Sequence, residues 1–408
     1  MAKNYATIYA SANPSVALNH RMYVKEEATR GTMVAPLATD FMLHTGGSIE
    51  STQPFETSPH KTGRHNTSII EQKFEANWNI AALFNIDTAV AAGTTEIDLA
   101  VRTLFKSALG KEDTSGTGIK YTAEDDPSIT FTIHEVGDKW SKQMGGGFVD
   151  SATMNFPGDG NANYEMSGLG KKAILIGIGK STTDNNAGNT ITVQTDEGKR
   201  FKEDGLVMII EADGTTRSAD TATARKITDV TGDVITVDGA VLADADGSSA
   251  DIYLVYWEPE SPTAIDDIQT GLVGSFETTG LGTVACMRSF SLNLTNNHEP
   301  QNFCWGSDSL SGQIFAPADR LTAEASMELN LGHNLIQYYN QLDQFAGDNV
   351  VLILGDATGR HLKVTLPKAM FNIPPISVPE TGTIPVTFDG TALQSALDQG
   401  DEVQIEFL

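Results

Sequence analysis

A handful of places in this 408-residue chain carry residue types that do chemistry. The run Gly145-Gly146-Gly147 and the string Gly168-Leu169-Gly170-Lys171-Lys172 have the composition of a phosphate cradle. Neither has the P-loop spacing, four residues and then Gly-Lys-Ser/Thr, that wraps backbone N–H groups around phosphate oxygens. Both therefore read as turns or close strand approaches. His60 and His65 offer two imidazoles, but no third ligand lies near them and the other histidines are scattered. Asp244-Ala245-Asp246-Gly247 holds fragments of a calcium loop without its remaining ligands. Glu124-Asp125-Asp126-Pro127 reads as a solvated turn. No nucleophile elbow or Cys–His context nominates a covalent catalyst. Trp78, Trp140, Trp257 and Trp305 stand in separate segments and form no stacking repeat, which suits packing. Cys286 and Cys304 read as buried thiols, since two cysteines in so long a chain do not make a disulfide scaffold. The expectation is a protein that is not an enzyme and carries no catalytic set, metal or cofactor.

The elements around these residues are mostly strands. Ile70, Gln72, Phe74, Ala76, Trp78 and Ile80 share one parity, and Ala323, Ala325, Met327, Leu329 and Leu331 share another. Such alternation marks half-buried strands. Each is followed by a short helical stripe, Leu99, Leu104, Phe105 and Leu109 before Gly110, then Leu335, Ile336, Tyr339, Leu342 and Phe345 before Gly347. Further strands are expected at 129–136, 152–156 and 164–168 in the first region. The second adds 349–354, 361–366, 384–388 and 402–408. Both regions thus run long strand, short helix, then more strands.

Between them, 181–260 holds 16 acidic and 6 basic residues. It reads as five short strands, 190–194, 206–211, 223–229, 234–237 and 251–257, separated by turns such as Asp213-Gly214. Trp257-Glu-Pro-Glu-Ser-Pro262 makes a stiff exit. The expected domains are an N-terminal arm at 1–39, a first β lobe at 40–180, an acidic small β domain at 181–260, facing outward, and a second β lobe at 261–408. The arm reads as largely extended, with Tyr5, Ile8 and Tyr9 as contacts to a partner. The long polar segment 46–68, carrying Phe55, Lys61, Arg64 and His65, reads as a loop that reaches a neighbouring ring.

The formal net charge of −26 argues against wrapping nucleic acid, which needs a concentrated basic surface. A negative channel wall, by contrast, lets DNA pass without sticking. No apolar run approaches a membrane span, and no export signal is expected at the N-terminus.

Thr322–Leu331, the short helix through Phe345, Val350–Leu354, His361–Phe371, Gly382–Thr391 and the final strand at 402–408 together resemble the major tail proteins of long flexible-tailed phages. The resemblance is clearest over 280–408 and weaker over 40–178. It implies a mainly β fold of duplicated tail-tube-like sandwich or barrel lobes, each with a short helix, plus the inserted small β domain. It further implies a structural subunit that self-associates into stacked rings around a DNA channel, in the virion tail after assembly in the host cytoplasm. Two lobes per chain favour trimeric rings with pseudo-sixfold symmetry, with a hexamer as the alternative. Its partners would be other copies, other tail proteins and DNA in transit, with no membrane. The competing reading is a carbohydrate-binding or adhesive virion β protein.

Overall fold

A computed structural model describes the chain apart from residues 1–2, 16–18, 53–54, 58–68, 72–74, 88–96, 117, 125–128, 183–187, 212, 218–223, 240–251, 261, 272–273, 285–286, 301–314, 318–320, 342–346, 356–359 and 398. The fold is mainly β, built from antiparallel sheets with three short α-helices among the described residues.

The N-terminal half opens with α1 (Tyr5–Ala10), β1 (Arg21–Glu26) and β2 (Phe41–Met42). Strands β3 (Gly46–Thr52), β4 (Phe55–Thr57), β5 (Ile69–Glu71) and β6 (Glu75–Leu83) form a long hairpin. In it β3 pairs with β6 and the ribbon β4–β5 lies beyond them. Helix α2 (Leu99–Leu109) follows, burying Leu104, Phe105, Ala108 and Leu109; Gly110, at φ +96°, ends it as a C-terminal glycine does. Next come β7 (Gly110–Asp113), β8 (Ile119–Ala123), β9 (Phe131–Val136), β10 (Ser141–Gly147), β11 (Ser151–Pro157), β12 (Asn163–Gly170) and β13 (Lys172–Ile176).

Two sheets share these strands. One is five-stranded, in the order β13-β10-β9-β1-β2. The other contains β3-β6-β12-β11. Phe148-Val149-Asp150 carries the chain from β10 to β11, between the sheets. Gly168 lets the crossing happen: a Cβ there would sit 1.9 Å from the Phe148 carbonyl oxygen.

The acidic region forms its own six-stranded sheet from β14 (Ile178–Lys180), β15 (Thr190–Thr192), β16 (Leu206–Ile210), β17 (Arg225–Thr231), β18 (Val234–Val237) and β19 (Tyr253–Tyr256). The order is β14-β19-β16-β17-β18-β15, and a Ser181–Val193 bridge joins the two ends. The apolar run 172–178 therefore divides between two sheets.

The C-terminal half comprises β20 (Gly274–Thr278), β21 (Gly282–Val284), β22 (Met287–Thr295), β23 (His298–Pro300), β24 (Phe315–Pro317), β25 (Thr322–Asn330), α3 (His333–Gln341), β26 (Asp348–Gly355), β27 (His361–Phe371), β28 (Pro385–Leu393) and β29 (Gln404–Phe407). The 14-stranded sheet runs β21-β20-β26-β27-β28-β25-β22-β11-β12-β6-β3, with β29 on β27 and β8 and β7 beyond it. The β11–β22 pairing, Ser151↔Thr295 through Pro157↔Ser289, joins the halves edge to edge. One hydrophobic core serves both: Phe84 stacks on Phe156 at 5.4 Å, and Phe156 on Phe290 at 5.9 Å.

A second core lies between the acidic sheet and the outer face of β1, β9 and β13. It holds Tyr23, Val136, Ile174, Ile176, Met208, Leu254 and Tyr256. Here the arm expectation needs correction. Residues 5–10 are helical, not extended, because Asn4 caps the helix by accepting the Thr7 N–H at 2.8 Å and the helix packs on β19. Residues 21–26 are a strand between β2 and β9.

Candidate assembly surface

From β28 through β25, β22, β11, β12 and β6 to β3, the side of the long sheet that faces away from the core is made mostly of small polar and acidic side chains. Along β6, Ala76, Trp78, Ile80 and Ala82 are buried while Asn77 and Asn79 are exposed. The same parity holds in β11, β12, β22, β25 and β28. Because strands alternate faces, register alone then aligns the polar residues in rows. One row crosses six strands: Ser48, Asn79, Ser167, Ser151, Thr295 and Thr322. Hydrogen bonds tie neighbours within the face. Thr153 donates to Asn293 Oδ1 at 3.1 Å, and Ser326 donates to Asp389 Oδ1 at 2.7 Å. Glu50, Glu165, Glu324, Glu328 and Asp389 put five carboxylates on this face. Arg288, at the end of β22, is spent on Glu328 at 2.8 Å.

The sheet ends differ. Among the described residues, strand β3 has β6 on one side and no strand on the other. On its open side the Ile49 N–H donates to Glu135 Oε2 at 3.0 Å, and Lys142 donates to the Ile49 carbonyl at 2.9 Å. Glu135 also meets His20 at 3.1 Å, and His20 meets His44 at 3.0 Å. Burial, and then the neighbouring His20, hold the His44 imidazole below its usual pKa, while the Met42 carbonyl opposes them.

Of the expected inter-ring residues, Phe55 stands 66 % exposed on the β4–β5 ribbon, and Ile69 is 59 % exposed on the same face. Lys61, Arg64 and His65 lie outside the described residues, as do His60, Asp125, Asp126, Asp244, Asp246, Trp305, Cys286 and Cys304. The arm residues meet their own chain. Tyr5 is buried and donates to Glu258 at 3.0 Å; Tyr9 donates to Glu197 at 2.6 Å and packs on Tyr253; Ile8 is half-buried beside them.

Glu258, which the sequence reading passed over, anchors this junction. It takes Lys3 and Arg21 at 2.7 Å each, while Arg217 donates to its carbonyl. A cleft of about 450 Å³ opens here, but its cations already face Glu258 and Glu260. Burial lowers the Lys3 pKa even against the attraction of Glu258, and burial followed by Glu258 raises that of Tyr5. The cluster ties the N-terminus, β1 and the acidic sheet together. No contact pattern or strand periodicity announced it in the sequence.

The glycine runs resolve as strand geometry. Gly146, at φ +67°, forms a bulge in β10 and donates its N–H to the buried Glu27 carboxylate at 2.8 Å. That carboxylate also accepts from Thr130, Thr132 and Gly31, so a negative charge occupies the place an anion would need. Trp78 and Trp257 are buried, and their N–H groups donate to the Phe148 and Pro36 carbonyls. They offer no platform for a sugar ring. Among the described residues, no three metal-ligating side chains gather, and no helix is long and apolar enough to cross a membrane. No protein-family model matches the chain, and no curated protein matches it.

Proposed function

We propose that this chain is a structural subunit of a phage tail tube, with two tube-building lobes that line a channel for DNA. The observation that carries the reading is the recurrence of one sheet plan in both halves, joined edge to edge with a single anionic polar face. The order β13-β10-β9-β1-β2 is matched strand for strand by β29-β27-β26-β20-β21, and β3-β6-β12 by β22-β25-β28. Each half has a long hairpin prolonged by a two-stranded ribbon and followed by a short helix. Even an irregularity recurs. The ladder slips between Met144 and Gly147 opposite Ile133 and Phe131, and between Leu366 and Ala369 opposite Val350 and Asp348.

A wall of this kind suits passage of DNA. Its carboxylates repel phosphates, and its short hydroxyl and amide side chains present no cluster of lysines or arginines to hold the backbone. The exposed ribbon carrying Phe55 and Ile69 suits contact with the next ring. Three such chains supply six lobes, so a trimeric ring with pseudo-sixfold symmetry follows from closed rotational assembly. The acidic sheet, packed on the outer face of the N-terminal lobe, would then face outward.

Negative-stain images of the concentrated protein test this. Rings or hollow tubes of uniform diameter are expected. A sedimentation profile that stays monomeric across salt and concentration would reject it.

A further inference from the structure

The two halves differ where the chain leaves the outer sheet. In the N-terminal half it enters β11, which β12 covers on one side and β22 on the other. In the C-terminal half the ladder between β27 and β28 stops at Phe371↔Gly390, and residues 373–379 join no strand. Two contacts align the halves here. A Cβ at Gly168 would strike the Phe148 carbonyl oxygen, and one at Gly390 would strike that of Met370, at 1.9 and 2.4 Å. The Asp150 N–H donates to Ser167 O at 2.9 Å, as that of Asn372 does to Asp389 O at 2.8 Å. All these pairs share one sequence offset, and it lays Ser151–Pro157 over Ile373–Pro379. Pro157 falls on Pro379, Met154 on Ile376 and Phe156 on Val378.

Ala152 and its counterpart Pro374 are both buried, but burial separates the next two core-facing pairs. Met154 and Phe156 are 0 % and 1 % exposed, whereas Ile376 and Val378 are 41 % and 75 % exposed. What 373–379 lacks is the strand that β22 supplies to β11. By the same correspondence, the strand equivalent to β22 is β3, whose outer side is open.

We propose that residues 373–379 pair antiparallel with β3 of a second copy of this chain, repeating the β11–β22 joint between molecules. The inference rests on the two-lobe reading above. Thr52 and Thr295 both end their strands before the ribbon, and Met154 lies opposite Leu292. The register therefore sets Ile376 opposite Ile49, Ser377 opposite Ser48 and Ile373 opposite Thr52.

The open edge of β3 is guarded in a way that fits a removable partner. Glu135 and Lys142 hold the Ile49 N–H and carbonyl, the groups that Ile376 would take. Counting from the matched bulges, Glu135 corresponds to Leu352, a core residue in the half whose edge is already covered. A charge held against a free edge blocks indiscriminate strand pairing. Pro375 lacks its N–H on the side away from β3, as befits an edge segment, and Ile376 and Val378 keep the donors that point at β3; Pro374, on their parity, leaves one ladder bond opposite Ser51 unmade.

The test is a disulfide across the joint, with Cys286 and Cys304 first replaced by Ser. Ser48 and Ser377 would face each other as a non-hydrogen-bonded pair, the closest approach in an antiparallel ladder. Oxidised Ser48→Cys/Ser377→Cys protein should run as a ladder of linked multiples. A mixture of the two single variants should give linked dimers only, and Ser48→Cys/Ile373→Cys, four residues out of register, should give none. Electron microscopy of the same samples separates the two readings. Rings or tubes without the link overturn the pairing and leave the tube standing. Linked ladders without rings or tubes keep the pairing and overturn the tube. Protein that stays monomeric and unlinked overturns both.

Discussion

On the two-lobe reading proposed above, the two halves of the chain share a plan but not an environment. In the N-terminal half the outer sheet is covered by the acidic sheet and β11 is covered by β22. In the C-terminal half the matching surfaces, Val351 and Ile353 on β26 and the segment 373–379 apart from the buried Pro374, are half-buried or exposed. The contrast teaches that the same strands tolerate polar or buried apolar residues according to what lies against them, and that an uncovered copy points to what is absent.

The largest effect should come from the covered outer sheet. His134, on β9, is fully buried with neither ring nitrogen hydrogen-bonded, and burial, then Lys25, pushes its pKa down to about 3. The unfolded chain takes up that proton near pH 6.5, which the folded chain refuses until about pH 3. Stability is thus complete above pH 6.5 and falls as the pH drops through that window, by as much as about 5 kcal/mol. His134→Phe should flatten the acid limb of a urea-unfolding series; an unchanged slope would show that this face is not sealed.

Next comes the matched pair at the joint. Phe156→Ala should cost about 3–5 kcal/mol in urea unfolding, because the ring packs on Phe84 and Phe290. Val378→Ala should cost under about 0.5 kcal/mol in the monomer, as surface changes do, and yet weaken assembly. Equal losses at both positions would erase the distinction.

Asp98, at the start of α2, is a smaller discriminator. Burial raises its pKa to about 6, although the Ile265 N–H bonds to both carboxylate oxygens and pulls the other way. The folded state holds this proton more tightly than the unfolded one, so stability falls as pH rises from 3.8 to about 6. Asp98→Asn should gain up to about 3 kcal/mol at pH 8 and little at pH 4. The smallest expected change is at the edge guard. Glu135→Gln weakens the hold on the Ile49 N–H by about 1 kcal/mol, and light scattering should detect assembly at lower protein concentration.

Periodicity carried much of this fold in advance. The alternation of Ala76, Trp78 and Ile80, and of Ala323, Ala325 and Met327, marks β6 and β25 directly, and the stripe ending at Leu109 marks α2. Strand β22 had an equal signal in Phe290, Leu292 and Leu294, which went unread. Strand β10 had none, because Gly145–Gly147 form a bulge whose partner, Glu27, is remote in sequence. Helix α1 was unreadable for a similar reason: six residues do not make a stable helix alone, and α1 exists by packing on β19. The polar wall depends on register across strands distant in sequence, which no single strand displays.

The most direct test is an image of the assembled protein viewed down its axis. The two-lobe account predicts a hollow ring of six similar wall segments with three projecting acidic domains. Six projecting domains, or a particle with no central channel, would contradict it.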